Sequence, residues 1–215
     1  MARSGVPVSP YVVGATTDEV VAALAANPDV AYPLVAKLCG RAITHKTERG
    51  LVQLGIPNEI ALRNACDTLL ASARPEDGVV ELLVSTMVAG NRELIAGLAT
   101  DSQFGLVVML GVGGILAEAV ADVTFRLAPM SAADAEEMID DLSSQPLLGP
   151  FRGEPAIDRG SLVQTLLALC DVGRDQTGLV SADINPLIVV DGIPTAVDAL
   201  IEINNQSSGS AEVIQ

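Results

Sequence analysis

The chain has 215 residues, of which 49% are hydrophobic and 2% aromatic, and its 27 acidic and 12 basic residues give a net charge of −15. This length suffices for one large domain or two small ones with an aliphatic core. The charge argues against nucleic acid as a partner, because phosphate backbones are bound by clustered Lys and Arg.

The first part of the sequence predicts helices alternating with strands. Asp18 and Glu19 lie in a predicted first helical turn, where the helix dipole favours acidic side chains. Asn58 is a predicted N-cap. The expected elements are a helix at 17–26, strands at 30–38 and 51–56, and a helix from 59 to about 73. A Pro/Gly segment then ends a first domain over 1–78.

Three apolar runs follow, separated by short polar connectors, and such connectors demand antiparallel pairing. Ser131 with Asp134 predicts a capped helix. After the runs at 79–88, 94–100 and 105–110 come a Gly/Pro-rich loop at 146–155, an apolar helix at 161–172 and a final hairpin. A second domain is expected over 79–203, and a disordered tail over 204–215, apart from its last few apolar residues.

Two features that the sequence lacks indicate the compartment in which the protein is found. The N-terminus has no apolar signal core, and no window reaches membrane-spanning length. The three cysteines are far apart without a CxxC pair, which favours a reducing compartment and argues against a disulfide framework or a zinc site. We expect a cytoplasmic protein that does not bind membranes.

The single histidine, His45, lies in a basic segment just after a strand-like run. The cations around it are Lys37, Arg41, Lys46 and Arg49. In so acidic a chain this cluster indicates a binding site for an anionic ligand. A solvated basic turn explains the pattern equally well.

The final hairpin can be read in register from the turn signal Asp191-Gly192. Counting outward, Asn185 faces Asp198, and directly opposed side chains share one face of a sheet. Asp183, two residues back, joins them. Such oxygen ligands suit Mg²⁺. The register by itself slightly favours the alternative, in which these are polar residues on the solvated face of an edge hairpin.

Several ordered segments together resemble the ATP-grasp domain of the ADP-forming acyl-CoA synthetases, relatives of the succinyl-CoA synthetase β subunit. The resemblance covers residues 5–203. The matching segments are 32–37, 44–47, 93–97, 101–105, 113–118, 125–129, 151–153 and 183–187. The resemblance implies an α+β fold, the ATP-grasp fold, with two subdomains and antiparallel sheets.

The resemblance also implies roles for individual residues. His45 would be catalytic and relay a phosphoryl group, since imidazole is nucleophilic and near neutral at cytoplasmic pH. Asn185 and Asp198 would hold Mg²⁺, in agreement with the register. The implied nucleotide-binding residues are Lys37, Lys46, Ser85, Met87, Glu93, Glu118 and Arg126.

The implied reaction exchanges ATP, a carboxylate and CoA for ADP, phosphate and an acyl-CoA. The chain would then be the ATP-binding subunit of an acid–thiol ligase that works as part of a heteromer. The CoA-binding and ligase domains are expected on a partner subunit, through which the CoA thioester would be reached.

Departures from the family pattern support an alternative, a degenerate nucleotide-binding or scaffolding module without turnover. Residues 39–41 replace the usual Ser-Pro-Asp, Leu51 replaces a glycine, and Thr86 stands where an acidic hinge residue is expected. The retained histidine and metal pair favour catalysis.

Overall fold

The computed structural model describes residues 5–43, 46–114, 117–204 and 211–214, without the side chains of residues 118, 119 and 211–214. These residues form two compact units. One contains Ser9–Met87, and the other contains the described residues up to Val8 together with Val88–Val213. Each unit has its own sheet and hydrophobic core. The described strand pairs within both sheets are antiparallel, which confirms the predicted fold class.

The first unit is a four-stranded sheet with two helices on one face. Its elements are β1 (Tyr11–Gly14), α1 (Thr17–Ala26), β2 (Leu34–Gly40), β3 (Val52–Ile56), α2 (Glu59–Ala71), a 3₁₀ turn (Pro75–Asp77) and β4 (Val80–Thr86). The strand order is β1-β4-β2-β3. Alternate residues of β2, such as Leu34 and Leu38, are fully buried in one cluster with Val20 and Leu62 of the two helices. The period of two therefore turns the other residues of β2 to the opposite face.

Strand β4 lies at a place that the sequence analysis did not predict. It pairs with β1 on one side and β2 on the other, inside the first sheet. The expected pairing of residues 79–88 with residues 94–100 is therefore wrong. The structure divides the chain after Met87 rather than between residues 78 and 79. A short connector allows a hairpin, but it also allows the chain to leave one sheet and enter another.

The second unit is a seven-stranded sheet covered on one face by helices. Its elements are β5 (Glu93–Asp101), β6 (Gly105–Val112), α3 (Ala117–Val120), β7 (Val123–Leu127), α4 (Ala132–Asp140), α5 (Gln145–Leu148), α6 (Arg159–Asp175), β8 (Leu179–Val190), β9 (Ile193–Ala196), β10 (Ala199–Asn204) and β11 (Ala211–Ile214). The order is β11-β10-β8-β5-β6-β7, and β9 also pairs with β8. Met138 of α4 and Leu166 of α6 are buried against Leu98 and Val108 of the sheet. Phe125, on the other face, is 54% exposed.

Local predictions agree well with these elements. Helix α1 has the predicted bounds, Asn58 caps α2, and Ser131 forms a capping box with Asp134 at the start of α4. The expected loop at 146–155 overlaps the short helix α5. Residues 211–214 form β11, so this part of the expected tail is a strand, whereas residues 205–210 and 215 lie outside the described residues. None of the described helices is both long and apolar enough to cross a membrane.

Candidate functional site

The oxygen ligands predicted for Mg²⁺ lie on β8 and the strand that returns beside it. The predicted turn at Asp191-Gly192 is present, with φ values of 49° and 84°. Ile184 pairs with Ala199 in the same register, so Asn185 lies opposite Asp198. The backbone N–H of Asn185 donates to the carbonyl oxygen of Asp198 at 3.3 Å. The register predicted from the sequence is confirmed.

These side chains occupy the face of the large sheet away from the helices. Ile184 is fully buried in the core, so its neighbours Asp183 and Asn185 point to the other face. On β5, Gly97 pairs with Asp183 of β8. A Cβ at Gly97 would lie 3.4 Å from Oδ1 of Asp183. Burial raises the pKa of the Asp183 carboxyl, and the charge of Asp198 raises it further. Two carboxylates in this environment favour a bound cation.

The donor set fits Mg²⁺. An amide oxygen from Asn185 and a carboxylate from Asp198 are hard ligands, and Mg²⁺ typically binds through one or two protein ligands while keeping several waters. Over the described residues there is no group of three or more His, Cys, Asp or Glu side chains placed to hold a metal. Two hard oxygen ligands are a number that Mg²⁺ uses when it keeps its waters, whereas structural zinc takes four protein ligands.

Glu93 begins β5 in the same sheet, and its side chain is half-buried. Its carbonyl oxygen accepts the N–H of Gly113 at 2.8 Å. A Cβ at Gly113 would lie 3.1 Å from the carbonyl carbon of Glu93, so only glycine fits this approach without a shift. The structure thus places Glu93 beside the start of the 113–118 segment. The side chain of Glu118 lies outside the described residues.

Arg126 is not brought to this face. It pairs with Val108, which is fully buried beneath the helices, so the two side chains share the helix-covered side of the sheet. Its guanidinium lies 2.6 Å from the carboxylate of Asp141, the C-cap residue of α4. Arg126 therefore joins β7 to α4. No strand was predicted from the sequence at this position, so the face of the sheet on which Arg126 lies could not be assigned.

In the first unit, two of the predicted nucleotide-binding residues are buried lysines. Lys37 lies in the middle of β2 and is 7% exposed, and Lys46, in the loop between β2 and β3, is 6% exposed. Lysine is almost never this buried unless it is paired. Lys37 alternates with the core residues Ala36 and Leu38, so it faces away from the helices. His45, the predicted catalytic residue, lies outside the described residues.

Ser85 and Met87 lie at the end of β4. Ser85 pairs with Val35, two residues before Lys37, so Ser85 and Lys37 share one face of the small sheet. The N–H of Met87 donates to the carbonyl oxygen of Pro33 at 2.8 Å. Between them, Oγ1 of Thr86 accepts the N–H of Ala31 at 2.9 Å. Thr86 therefore ties this segment to the loop before β2.

Arg92 directly precedes Glu93, is 4% exposed and was not predicted from the sequence. Its guanidinium donates to Glu154 at 3.1 Å. It also donates to the carbonyl oxygens of Leu147, Gly149 and Pro155. Arg92 thus anchors the loop around the 151–153 segment to the start of β5. A single arginine in a short connector has no periodic signal that could have revealed this.

Comparisons with known proteins identify the family of the chain. The ATP-grasp domain family model matches residues 1–203. The β subunit of ADP-forming acetate–CoA ligase I of Pyrococcus furiosus is 32% identical over 198 residues, covering 91% of this chain and 84% of the relative. The β subunit of ligase II of that organism is 33% identical over 189 residues, covering 86% and 79%.

Solved structures with the same fold include acetyl-coenzyme A synthetase 1 of Ca. Korarchaeum cryptofilum. Its complex with coenzyme A, Ca-AMPCP and HgCl⁺ superimposes with a TM-score of 0.84 at 30% identity, covering 94% of this chain and 88% of that one. Its complex with coenzyme A and Mg-AMPPCP, in which a phosphohistidine segment points towards the nucleotide-binding site, has a TM-score of 0.75 at 30% identity, with 94% and 87% covered.

Proposed function

Because the chain belongs to the ATP-grasp domain family, we propose that it is the ATP-binding subunit of an ADP-forming acyl-CoA synthetase. The reaction exchanges ATP, a carboxylate and CoA for ADP, phosphate and an acyl-CoA. The observation that carries the proposal is the pair Asn185 and Asp198, opposed on the face of the large sheet away from its helices. The two Pyrococcus β subunits and the synthetase solved with a magnesium nucleotide support it.

The described residues have distinct proposed tasks in nucleotide binding. Asn185 and Asp198 hold Mg²⁺, which when bound neutralises phosphate charge and aligns the phosphates. Lys37 and Lys46 contact the phosphates, where a flexible point charge is effective. Ser85 and Met87 contact the nucleoside, and Glu93 contributes from the start of β5. We leave Arg126 out of this set because its guanidinium pairs with Asp141 on the other face.

His45 is the proposed phosphoryl relay. In that step an imidazole nitrogen forms a bond to phosphorus while the bond from phosphorus to the leaving oxygen breaks. Phosphoryl transfer needs alignment and charge neutralisation more than covalent machinery, so the two lysines and the cation supply most of what this chain contributes.

CoA and the acyl group are proposed to bind on a partner subunit. The two Pyrococcus relatives are named as β subunits, and the Ca. Korarchaeum cryptofilum enzyme was solved with coenzyme A. This chain then contributes the nucleotide half of a heteromeric ligase.

Calorimetric titration with ATP, with and without Mg²⁺, tests the proposed site. We expect Mg²⁺-dependent binding by the wild-type chain and a loss of about 10- to 100-fold in affinity for Asp198→Ala, because half of the protein ligand set is removed. The matched control is Asp175→Ala, which removes a carboxylate that is 69% exposed at the end of α6. Affinity that is independent of Mg²⁺, or equal in the two variants, would exclude this metal site.

A further inference from the structure

The loop between β2 and β3 is tied to the turn before β4 by a bidentate ion pair. Nη1 of Arg49 lies 2.7 Å from Oδ1 of Asp77, and Nη2 lies 2.8 Å from Oδ2. The side chain of Asp77 is 1% exposed and that of Arg49 is 21% exposed. Two parallel hydrogen bonds between planar groups set an orientation as well as a distance. A single exposed contact would set neither.

Asp77 is itself held in place by its backbone surroundings. Its Oδ2 also accepts the N–H of Arg74 at 2.8 Å, and its own N–H donates to the carbonyl oxygen of Arg74 at 3.0 Å. Gly40, the last residue of β2, packs close to Asp77, because a Cβ at Gly40 would lie 3.3 Å from the carbonyl oxygen of Asp77. The carboxylate is therefore a fixed point beside the end of β2.

Arg49 lies within a closed turn that begins at Lys46. The N–H of Leu51 donates to the carbonyl oxygen of Lys46 at 2.8 Å, and the N–H of Gly50 donates to that of Thr47 at 3.1 Å. Gly50 has a φ of 69°, and Leu51 is 1% exposed in the core. The core fixes one end of this turn, and Arg49 fixes its middle. The backbone of Lys46 is therefore left with little freedom.

We propose that the Arg49–Asp77 pair is a clamp that positions the loop so that Lys46 meets the nucleotide phosphates. This inference rests on the proposed function. Arg49 and Asp77 are positioning residues, because neither needs to touch the nucleotide itself.

The contacts of the pair indicate that its main role is orientation. A buried ion pair contributes little net stability compared with apolar residues of the same volume, because both charges lose hydration. Nε of Arg49 is also buried and has no hydrogen-bond partner in the structure as described. An unsatisfied buried donor costs free energy. The pair does supply an orientation, because its fork geometry holds Arg49, which lies three residues after Lys46.

Arg49→Lys tests the clamp because it retains the charge and loses the bidentate fork. We expect calorimetry on the full chain to show ATP affinity with Mg²⁺ reduced about tenfold, since a misplaced binding group loses most of its effect. Adenosine affinity should be unchanged, because adenosine has no phosphate for Lys46 to contact. The matched control is Arg63→Lys on α2, since Arg63 also pairs with two carboxylates, those of Asp18 and Glu59, and is 41% exposed. This control should bind both ligands like the wild type.

A second measurement tests whether the effect passes through Lys46. In a Lys46→Gln background, Arg49→Lys should cause no further loss, because residues that act through one contact are not additive. If Arg49→Lys fails to fold, the double variant Arg49→Met with Asp77→Leu replaces the pair by apolar side chains and is read by the same assays.

The outcomes separate the clamp from the function on which it rests. Unchanged ATP affinity in Arg49→Lys, an equal loss for adenosine, or full additivity with Lys46→Gln would each overturn the clamp. A wild-type chain that does not bind ATP would overturn the proposed function, and the clamp with it.

Discussion

At the residue scale, burial decides which ion pairs matter. Arg174 is 68% exposed and pairs with two carboxylates near the end of α6, where solvent screens the interaction. Arg92 and Asp77 have buried side chains, with exposed fractions of 2% and 1%. Removing one partner of a buried pair leaves a charge without compensation, which costs far more than the loss of an exposed pair.

The pKa of Asp77 also determines how the stability of the protein depends on pH. The hydrogen bonds from Arg49 lower the pKa of Asp77 to about 2, from an ordinary value of 3.8. Because the pKa is lower in the folded state, the stabilisation is complete above about pH 4 and is lost as pH falls through 2. Its full size is about 2 kcal/mol, of which roughly half is lost by pH 3.

Urea unfolding followed by circular dichroism at pH 6 and pH 3 measures this contribution. The wild type should lose about 1 kcal/mol more between the two pH values than Asp77→Asn, which has no carboxyl group to titrate. Asp175→Asn, at an exposed position, should follow the wild type. Equal losses in the wild type and Asp77→Asn would show that Asp77 does not have a lowered pKa.

At the element scale, one turn sets the register of the proposed metal pair. Asp191 and Gly192 connect β8 to β9, and the register they begin continues into β10. A slip of one residue would send either Asn185 or Asp198 to the other face of the sheet. The conformation of the turn at Asp191 and Gly192 therefore determines whether Asn185 and Asp198 lie on the same face of the sheet.

Gly192→Ala tests this dependence. Gly192 has a φ of 84°, and a Cβ there would lie 2.6 Å from the carbonyl oxygen of Ala156. We expect a loss of about 1 to 3 kcal/mol in the free energy of unfolding, with a parallel loss of Mg²⁺-dependent ATP affinity. Gly149→Ala is the control, because Gly149 has a φ of −77° and its nearest neighbouring atom is 3.8 Å from a Cβ. Retained ATP affinity in Gly192→Ala would show that the register does not depend on this turn.

At the scale of the whole molecule, the first described residues belong to the second unit. Val6 is 3% exposed in the core of that unit. The carbonyl oxygen of Pro7 accepts the N–H of Ala196 at 2.8 Å, and Val8 forms a parallel bridge with Ala196. From residue 5 to Val8 the described chain therefore lies in the second unit, it forms the first unit from Ser9 onward, and it then returns to the second.

Val6→Ala should consequently destabilise the second unit, although the substitution lies only a few residues before the first unit. We expect a loss of about 2 kcal/mol from the cavity left in its core. Hydrogen exchange by mass spectrometry should show reduced protection of β9, with α2 unchanged. Val13→Ala, at a position 42% exposed on β1, should have little effect on either. Loss of protection in α2 as large as that in β9 would contradict this assignment.

The hairpin of the candidate site was predictable because its signals are local. The hairpin that opposes Asn185 and Asp198 is specified by a two-residue turn and by alternation along two strands. The family resemblance, which the family model confirms over residues 1–203, supplied Lys37 and Lys46. Capping residues marked the starts of α2 and α4 because a cap bonds to backbone atoms only three residues away.

Other features depended on contacts between residues distant in sequence. Pairing of β4 with both β1 and β2 placed it in the first sheet, and the pairing of Arg126 with Val108 assigned its face. Asp77 and Arg92 became buried because segments 28 and 62 residues away pack against them. Turns, caps and strand alternation are governed by neighbouring residues and can be read along the chain. Sheet membership and the burial of charge are governed by the packing of whole faces, which no local pattern contains.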